Sequence, residues 1–460
     1  MKYIREQTKT IVAVVTAPIT QNIAIIRISG PKTYEIIKNI FNKKIPEKQT
    51  NKNNIILGKI IENKEVIDQV LLFCFYSPNS FTGEDTIEIS CHGNLIIVNK
   101  ILGLVLENGA ELATPGEFSK QGFFNGKINL IQANAINDLI RAPNLSTANL
   151  AIQNFDYKKS EELEKLEDKL LEAIAKIEIN IDYPEYEDVE KITIKKLIKI
   201  LDNLINNIRE IRIKGKKVKI YKEGIKIGIF GKPNVGKSTL LNALLNEEKA
   251  IVSSIAGTTR DVIESEYILK GIPLILFDTA GIRKTKNEIE KKGIEKSKDI
   301  YNKSDISFLV LDNSKKWKKE DEEILNIIKN KKYIIVINKK DLEKKLIIPK
   351  HIEKKNVVEI SAEKKEIKNL EEKIIEVFSS NILVENSSHY PFLSHSWQQS
   401  KLKAIEKNLK EVKSELKKEI PVDIIAGELQ KSFHLLRELS GNDYDEDLLD
   451  IIFSKFCLGK

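Results

Sequence analysis

Gly231-Lys-Pro-Asn-Val-Gly-Lys-Ser238, GKPNVGKS, stands between an apolar run at 225–229 and a helix-spaced run at 239–245. The spacing is G-x-x-x-x-G-K-[ST] in its strand–loop–helix context, a combination that chance seldom supplies. Backbone N–H groups of such a loop, with the helix N-terminus behind them, neutralise phosphate charge. Asn234, Val235, Gly236, Lys237, Ser238 and Thr239 are therefore the expected phosphate contacts, with Lys237 reaching the β and γ phosphates and the Ser238 hydroxyl on Mg²⁺. Downstream, Asp278-Thr279-Ala280-Gly281 closes a strand-like run at 273–277, where the carboxylate can hold Mg²⁺ through water and the Gly281 amide can meet the γ-phosphate. Asn338-Lys339-Lys340-Asp341 closes another run at 333–337, and its last carboxylate can accept both N–H donors of a guanine edge, which adenine lacks. Ser361-Ala362 follows 357–360 and fits the loop that backs the base. Four motifs in this order predict a GTP-binding domain of Ras-like fold, and short apolar strands alternating with helices over about 222–378 predict a parallel sheet.

The remaining composition narrows the class. A length of 460 residues leaves room for about three domains. Lys and Arg number 75 against 67 Asp and Glu, and the resulting +8 permits contact with nucleic acid without requiring it. Cys74, Cys91 and Cys457, with five histidines, show no paired ligand spacing, so neither a zinc site nor a disulfide framework is expected. Lys2, Arg5 and Lys9 before the apolar run 11–17 mimic a short signal peptide, but the run breaks at Pro18 and a second strand-like run follows at 23–28. A hairpin is the better reading. With no apolar stretch near the roughly 20 residues of a membrane span, a cytoplasmic protein without membrane contact is expected.

Residues 1–120 read as one α+β domain, with β-type runs at 11–15, 23–28, 55–61 and 70–76 and helical spacing over 95–107. From about 121 to 216 the pattern is helical, with Leu163, Leu166, Leu170, Leu171 and Ile174 forming an apolar stripe between Lys and Glu. Helical periodicity returns over 379–460, from Trp397 onward. The expected fold is therefore multidomain α/β: an N-terminal α+β domain, a discontinuous helical domain, and a Ras-like P-loop GTPase domain inserted at 217–378. Ras-like enzymes orient the attacking water with a glutamine after the last glycine of DxxG, whereas Ile282 stands there. Asn234 and Gly257-Thr-Thr-Arg-Asp261 are compensations: a second cation on Asn234 and nearby carbonyls can take the place of an arginine finger, so potassium should raise the rate more than sodium. The terminal Phe456-Cys-Leu-Gly-Lys460 lacks the aliphatic and small residues of a prenylation box.

Several further motifs carry a resemblance over nearly the whole chain. They are Arg27-Ile-Ser-Gly30, Ser80-Phe-Thr-Gly-Glu-Asp85 with Cys91-His-Gly93, Ala113-Thr-Pro-Gly-Glu-Phe-Ser119, Asn125-Gly-Lys127 with Gln132-Ala133, the phosphate loop, and the terminal Phe-Cys-Leu-Gly-Lys. In these the sequence resembles the MnmE (TrmE/ThdF) family of tRNA-uridine-modifying GTPases. The resemblance implies an N-terminal folate-binding domain that joins a homodimer, and a partner, the FAD enzyme MnmG. Together such proteins place an aminomethyl or carboxymethylaminomethyl group on C5 of the tRNA wobble uridine, drawing one carbon from a reduced folate, 5-formyl- or 5,10-methylene-tetrahydrofolate. It implies folate contacts at Arg27, Glu84, Lys127 and Lys460. It further implies a potassium site of Asn234, Ser253, Ile255 and Thr258, magnesium on Ser238 and Thr259, and Glu290 orienting the hydrolytic water through a second water. Cys457 keeps two readings, a nucleophile or proton donor toward uridine and a small residue that packs the tail. The chain departs from the family pattern at Ile19-Thr-Gln-Asn22, Glu111, Asn129, Asn134 and Ser388, departures that bear on tRNA and MnmG contacts more than on GTP. A ribosome-assembly GTPase acting as an RNA switch is the rival reading, and it would need an RNA-binding appendage that the sequence does not display.

Overall fold

The computed structural model describes residues 9–46, 54–182, 194–245, 264–278, 298–382, 390–418 and 422–459. The chain divides into two compact units, one of 1–140, 154–201 and 407–460, the other of 141–153 and 202–406.

In the first unit, six strands pair in the order β3-β4-β5-β2-β1-β6. They are β1 (Ile11–Val14), β2 (Ile23–Ser29), β3 (Asn54–Glu62), β4 (Glu65–Phe75), β5 (Thr86–His92) and the short β6 (Glu111–Leu112). The expected hairpin is present: β1 runs antiparallel to β2 with Ile11 opposite Ser29. Period-two alternation gives the sheet two different faces. Ile26, Ile28, Leu72, Ile87 and Ile89 lie in the core that the helices Thr33–Ile40 and Leu95–Glu107 cover. Arg27 points the other way, directly opposite Glu88 in the β2–β5 register. Asn94 caps the Leu95–Glu107 helix, its side chain accepting from the Ile96 N–H at 2.9 Å.

The helical part of this unit includes Leu130–Ile140, Tyr157–Asp182, Val422–Ser440 and Glu446–Phe453. Leu163, Leu166, Leu170 and Ile174 are buried as the stripe predicts, but Leu171 is 47% exposed, because it lies one step round the helix from Leu170. Asp445 caps the final helix, and the chain then turns back over the N-terminal domain. Two glycines permit the close approach. A Cβ on Gly116, whose φ is +75°, would sit 2.3 Å from the Phe453 carbonyl, and one on Gly459, at φ +86°, would meet Val15 at 2.8 Å.

In the second unit the sheet order is β12-β11-β10-β7-β9-β8. Five strands are parallel: β7 (Ile225–Phe230), β9 (Ile272–Asp278), β10 (Ile306–Asp312), β11 (Lys332–Asn338) and β12 (Val357–Glu359). Every residue of β10 is buried, as expected of a strand covered on both faces. The edge strand β8 (Glu264–Leu269) departs from the expected all-parallel rhythm by pairing antiparallel to β9, since a short return at Lys270-Gly271 makes a hairpin. The helix Ile194–Glu223 leads straight into β7. Within this unit Glu406, on the helix Ser396–Leu416, is buried between Arg209 and Arg212, with the Arg212 Nε at 2.7 Å. Among the described residues no helix is long and apolar enough to cross a membrane.

Candidate functional site

The phosphate loop leaves β7 at Phe230 and enters the helix Lys237–Leu245. Gly231 has φ +146° and Gly236 φ +95°, and a Cβ on either would collide with neighbours, the Val310 carbonyl at 2.5 Å and the Asn338 side chain at 2.2 Å. Asn234 adopts a left-handed φ of +65°, a conformation that a short polar side chain tolerates. Lys237 is buried and folds over the loop, its Nζ donating to the Gly231 and Lys232 carbonyls at 2.7 and 2.8 Å. Ser238 is exposed and Thr239 half-buried in the first helical turn.

The guanine motif is tied to this loop by its own side chains. Asn338, 2% exposed, donates through Nδ2 to the Val235 carbonyl at 3.0 Å, while its Oδ1 accepts from the Ala362 N–H at 3.0 Å. One amide therefore fixes both the phosphate loop and the base-backing loop. Lys339 donates to the Asn234 carbonyl at 3.1 Å and pairs with the buried Asp312 carboxylate at 2.7 Å. The Ser361 hydroxyl donates to Asp341 at 2.5 Å, and that bond holds the Asp341 carboxyl below its ordinary range. An exposed carboxylate kept ionised matches the chemistry of a guanine edge, which offers two N–H donors.

Asp312 and the Lys232–Asp321 pair were not identified from the sequence. Asp321, 2% exposed, accepts from Lys232 Nζ at 2.6 Å and from the Lys318 N–H at 3.0 Å, anchoring the second residue of the phosphate loop. For Asp312 the available signal was an acid ending the apolar run Phe308–Leu311.

The expected residues fall differently with respect to these contacts. Asp278 ends β9 beside Ile229 of β7. Ser253, Ile255, Thr258, Thr259, Thr279, Ala280, Gly281 and Glu290 lie outside the described residues, so of the potassium and magnesium donors only Asn234 and Ser238 have described positions.

A second site lies within the first unit, on the sheet face opposite the one that the helices Thr33–Ile40 and Leu95–Glu107 cover. Arg27 donates from Nε to Glu88 at 2.8 Å, with Nη2 also 2.7 Å from that carboxylate. Its Nη1 donates to the Gly459 carbonyl at 3.1 Å, and its guanidinium lies 5.6 and 5.5 Å from the Phe81 and Phe118 ring centres. The tail is thus held on the N-terminal domain by an ion-paired arginine. Glu84 is fixed beside it: Ser29 Oγ donates to its carboxylate at 3.1 Å, and the Ser29, Thr82 and Thr86 hydroxyls form a connected set. Lys127 is exposed, and its aliphatic stem lies 3.0 Å from where a Gly83 Cβ would project. Cys457 is an exposed free thiol whose carbonyl accepts from the Gly116 N–H at 3.4 Å. Lys460 lies outside the described residues. Arg27, Glu84 and Lys127 therefore gather where the tail docks, and the ion-pair partner Glu88 is the residue that the sequence did not reveal.

A phosphate loop, a base loop and a base-backing loop at the C-terminal ends of a parallel sheet define a P-loop GTPase, here carried in a chain with a separate mixed α+β domain. The N-terminal residues 10–127 match the family model "GTP-binding protein TrmE N-terminus", and residues 130–457 match "MnmE helical domain". The chain belongs to the MnmE family of tRNA modification GTPases. It is similar over nearly its whole length to proteins named "tRNA modification GTPase MnmE". That of Desulforamulus reducens is 42% identical over 98% of this chain and 99% of its own length. Those of Acholeplasma laidlawii and Clostridioides difficile are 42% and 41% identical over 99% and 98% of this chain, and 100% and 99% of their own.

Proposed function

We propose that this chain is a potassium-stimulated GTPase that works with the FAD protein MnmG. The pair installs an aminomethyl or carboxymethylaminomethyl group at C5 of the tRNA wobble uridine, taking its one-carbon unit from a reduced folate. The observation that carries the reading is the tail docked on Arg27 beside Glu84 and Lys127, in a chain whose phosphate loop and guanine loop are cross-tied by Asn338 and Lys339.

In this reading Asn234, Val235, Gly236, Lys237, Ser238 and Thr239 bind the phosphates, with Asp278, Thr279, Ala280 and Gly281 closing over the γ-phosphate. Asn338, Lys339, Asp341, Ser361 and Ala362 hold the guanine. Ser238 and Thr259 would hold Mg²⁺, and Asn234, Ser253, Ile255 and Thr258 would hold K⁺. Bound there, the two cations supply positive charge against the charge developing at the β–γ bridge. Glu290 orients the attacking water, a role vacant at Ile282. The donor chemistry fits, since hydroxyl, amide and carbonyl oxygens suit hard cations.

A reduced folate would be held by Arg27, Glu84, Lys127 and Lys460, the cationic side chains supplying charge for its anionic part and the Glu84 carboxylate an acceptor for its N–H groups. Cys457 would serve there either as a nucleophile or proton donor toward the uridine or as a small residue that packs the tail. The homodimer uses the N-terminal domain: Ile55 and Leu57 of β3 and Leu71 of β4, opposite Leu57, are exposed apolar residues that a second copy would cover. The domain limits 1–120, 121–216, 217–378 and 379–460 are part of the same reading, and the cytoplasm is where its tRNA substrate is found.

Mass spectrometry of tRNA from a strain lacking this gene tests the proposal. Wobble uridines should lose the C5 group and regain it with the wild-type gene. Retention of the group without the gene would contradict it.

A further inference from the structure

A cavity of about 540 Å³ opens in the second unit at the end of the sheet remote from the phosphate loop. Its walls take in Gly224-Ile225-Lys226, where β7 begins, and Lys332, where β11 begins, whereas the nucleotide motifs follow the other ends of those strands. At about 3.3 Å per residue, strands of this length separate the two ends by roughly 20 Å.

Six lysines line the cavity: Lys216, Lys219, Lys226, Lys303, Lys331 and Lys332. Two acids share the wall, Glu223 and Asp305, leaving six positive against two negative charges. Both acids are already engaged. Asp305 accepts from the Lys226 backbone N–H at 2.9 Å, and Glu223 lies 3.5 Å from Lys219. Lys331 donates to three carbonyls, those of Tyr301, Asn302 and Ser304, and Lys332 donates to the Val377 carbonyl and covers the Phe378 ring at 4.4 Å. Carbonyl and ring contacts hold these ammoniums in place without cancelling their charge. Lys216 and Lys303 are exposed and Lys226 is half-buried, so like charges converge on one concavity from four segments of chain. Such convergence in a cleft concentrates anions there.

We propose that this cavity docks the phosphate backbone of RNA, the tRNA of the function proposed above, on which this inference rests. The lysines form an arc from the end of the long helix, across the start of β7, to the start of β11, which suits a run of phosphates better than one compact anion. Because the arc lies away from the nucleotide, RNA held there leaves the phosphate loop open. Contacts of this kind position the RNA and carry no base information.

The test compares the full-length wild type with Lys216→Gln/Lys226→Gln/Lys303→Gln and with the matching triple Lys→Arg variant. Binding of unmodified tRNA is measured by fluorescence anisotropy over a range of KCl, beside basal GTP turnover. The Gln variant should bind at least about tenfold more weakly at 0.1 M salt, and its slope of log affinity against log salt should shrink by about 2 to 3. Both variants should keep basal GTP turnover, and the Arg variant should keep tRNA affinity. Wild type that binds tRNA while the Gln variant binds it equally, with the same slope, overturns the cavity assignment alone. Wild type that binds no tRNA overturns both this assignment and the tRNA reading beneath it.

Discussion

Removing the Arg27 guanidinium, as in Arg27→Met, should loosen both the β2–β5 pair and the docked tail. Arg27 and Glu88 side chains are 13% and 20% exposed, so the substitution leaves a largely buried carboxylate unpaired. Breaking a fully buried pair costs about 3–5 kcal/mol. Partial solvent access at Glu88 reduces that to about 2–3 kcal/mol, and loss of the charged hydrogen bond to the Gly459 carbonyl falls mainly on the tail. The chain's tryptophans, Trp317 and Trp397, both lie in the second unit, so fluorescence would follow the wrong part of the molecule. Hydrogen exchange read by mass spectrometry is the suitable assay. Amides of β2 and β5 that open locally should exchange about 30- to 150-fold faster in Arg27→Met, taking 1.4 kcal/mol as tenfold. The double change Arg27→Met/Glu88→Met should recover most of the protection in the strands, because no unpaired charge remains, but not in residues 457–459. Single-variant exchange within about threefold of wild type, or a double variant no better than the single, would refute the assignment of this pair as what holds the face together.

Asp341→Asn should weaken GTP binding by about 100-fold or more, through loss of charge-assisted acceptance from guanine, and should improve binding of XTP; isothermal titration with both nucleotides checks this. Asp312→Asn frees Lys339 from its partner at 2.7 Å and should raise the KM for GTP with a smaller effect on kcat, measured by steady-state turnover. Burial pushes the Cys74 and Cys91 thiols up to about 11 each, and only thiolates alkylate well. At pH 8 native protein should therefore take up one iodoacetamide, at Cys457, and three in urea, counted by intact mass. Because those two pKa values are raised on folding, the stability they contribute is complete below about pH 9 and is lost as pH rises through about 11; urea midpoints of the first unit across that range check the sign.

The nucleotide half of the molecule was legible because its chemistry is local. Each motif lies within a few residues of the strand it follows, so spacing alone places Lys237, Asn338 and Asp341 at the C-terminal ends of β7 and β11, two parallel strands that flank β10. What joins the motifs is not local. Asp312 meets Lys339 and Lys232 meets Asp321 only once the strands stack, and no period in the sequence marks those pairs. Glu88 was hidden for a related reason: it sits 61 residues from Arg27, and the β2–β5 register that sets them opposite depends on β5, which was not among the β-type runs read from the sequence. Helical spacing located the long helices but not their limits, since apolar and charged positions continue smoothly past 216 to Glu223. Leu171 was assigned to the buried stripe because leucine fits the pattern by type, while its angle round the helix turns it to solvent.

The claim on which the rest hangs is that the tail completes a reduced-folate pocket on the Arg27 face. The direct measurement is calorimetric titration of 5-formyl-tetrahydrofolate into the full chain and into a chain ending at Leu458, which lacks the Gly459 carbonyl that Arg27 holds and the Lys460 ammonium. The account predicts binding to the full chain and a loss of about tenfold or more in the shortened one, with GTP affinity unchanged in both. Equal folate binding by the two chains, or none by either, would contradict it.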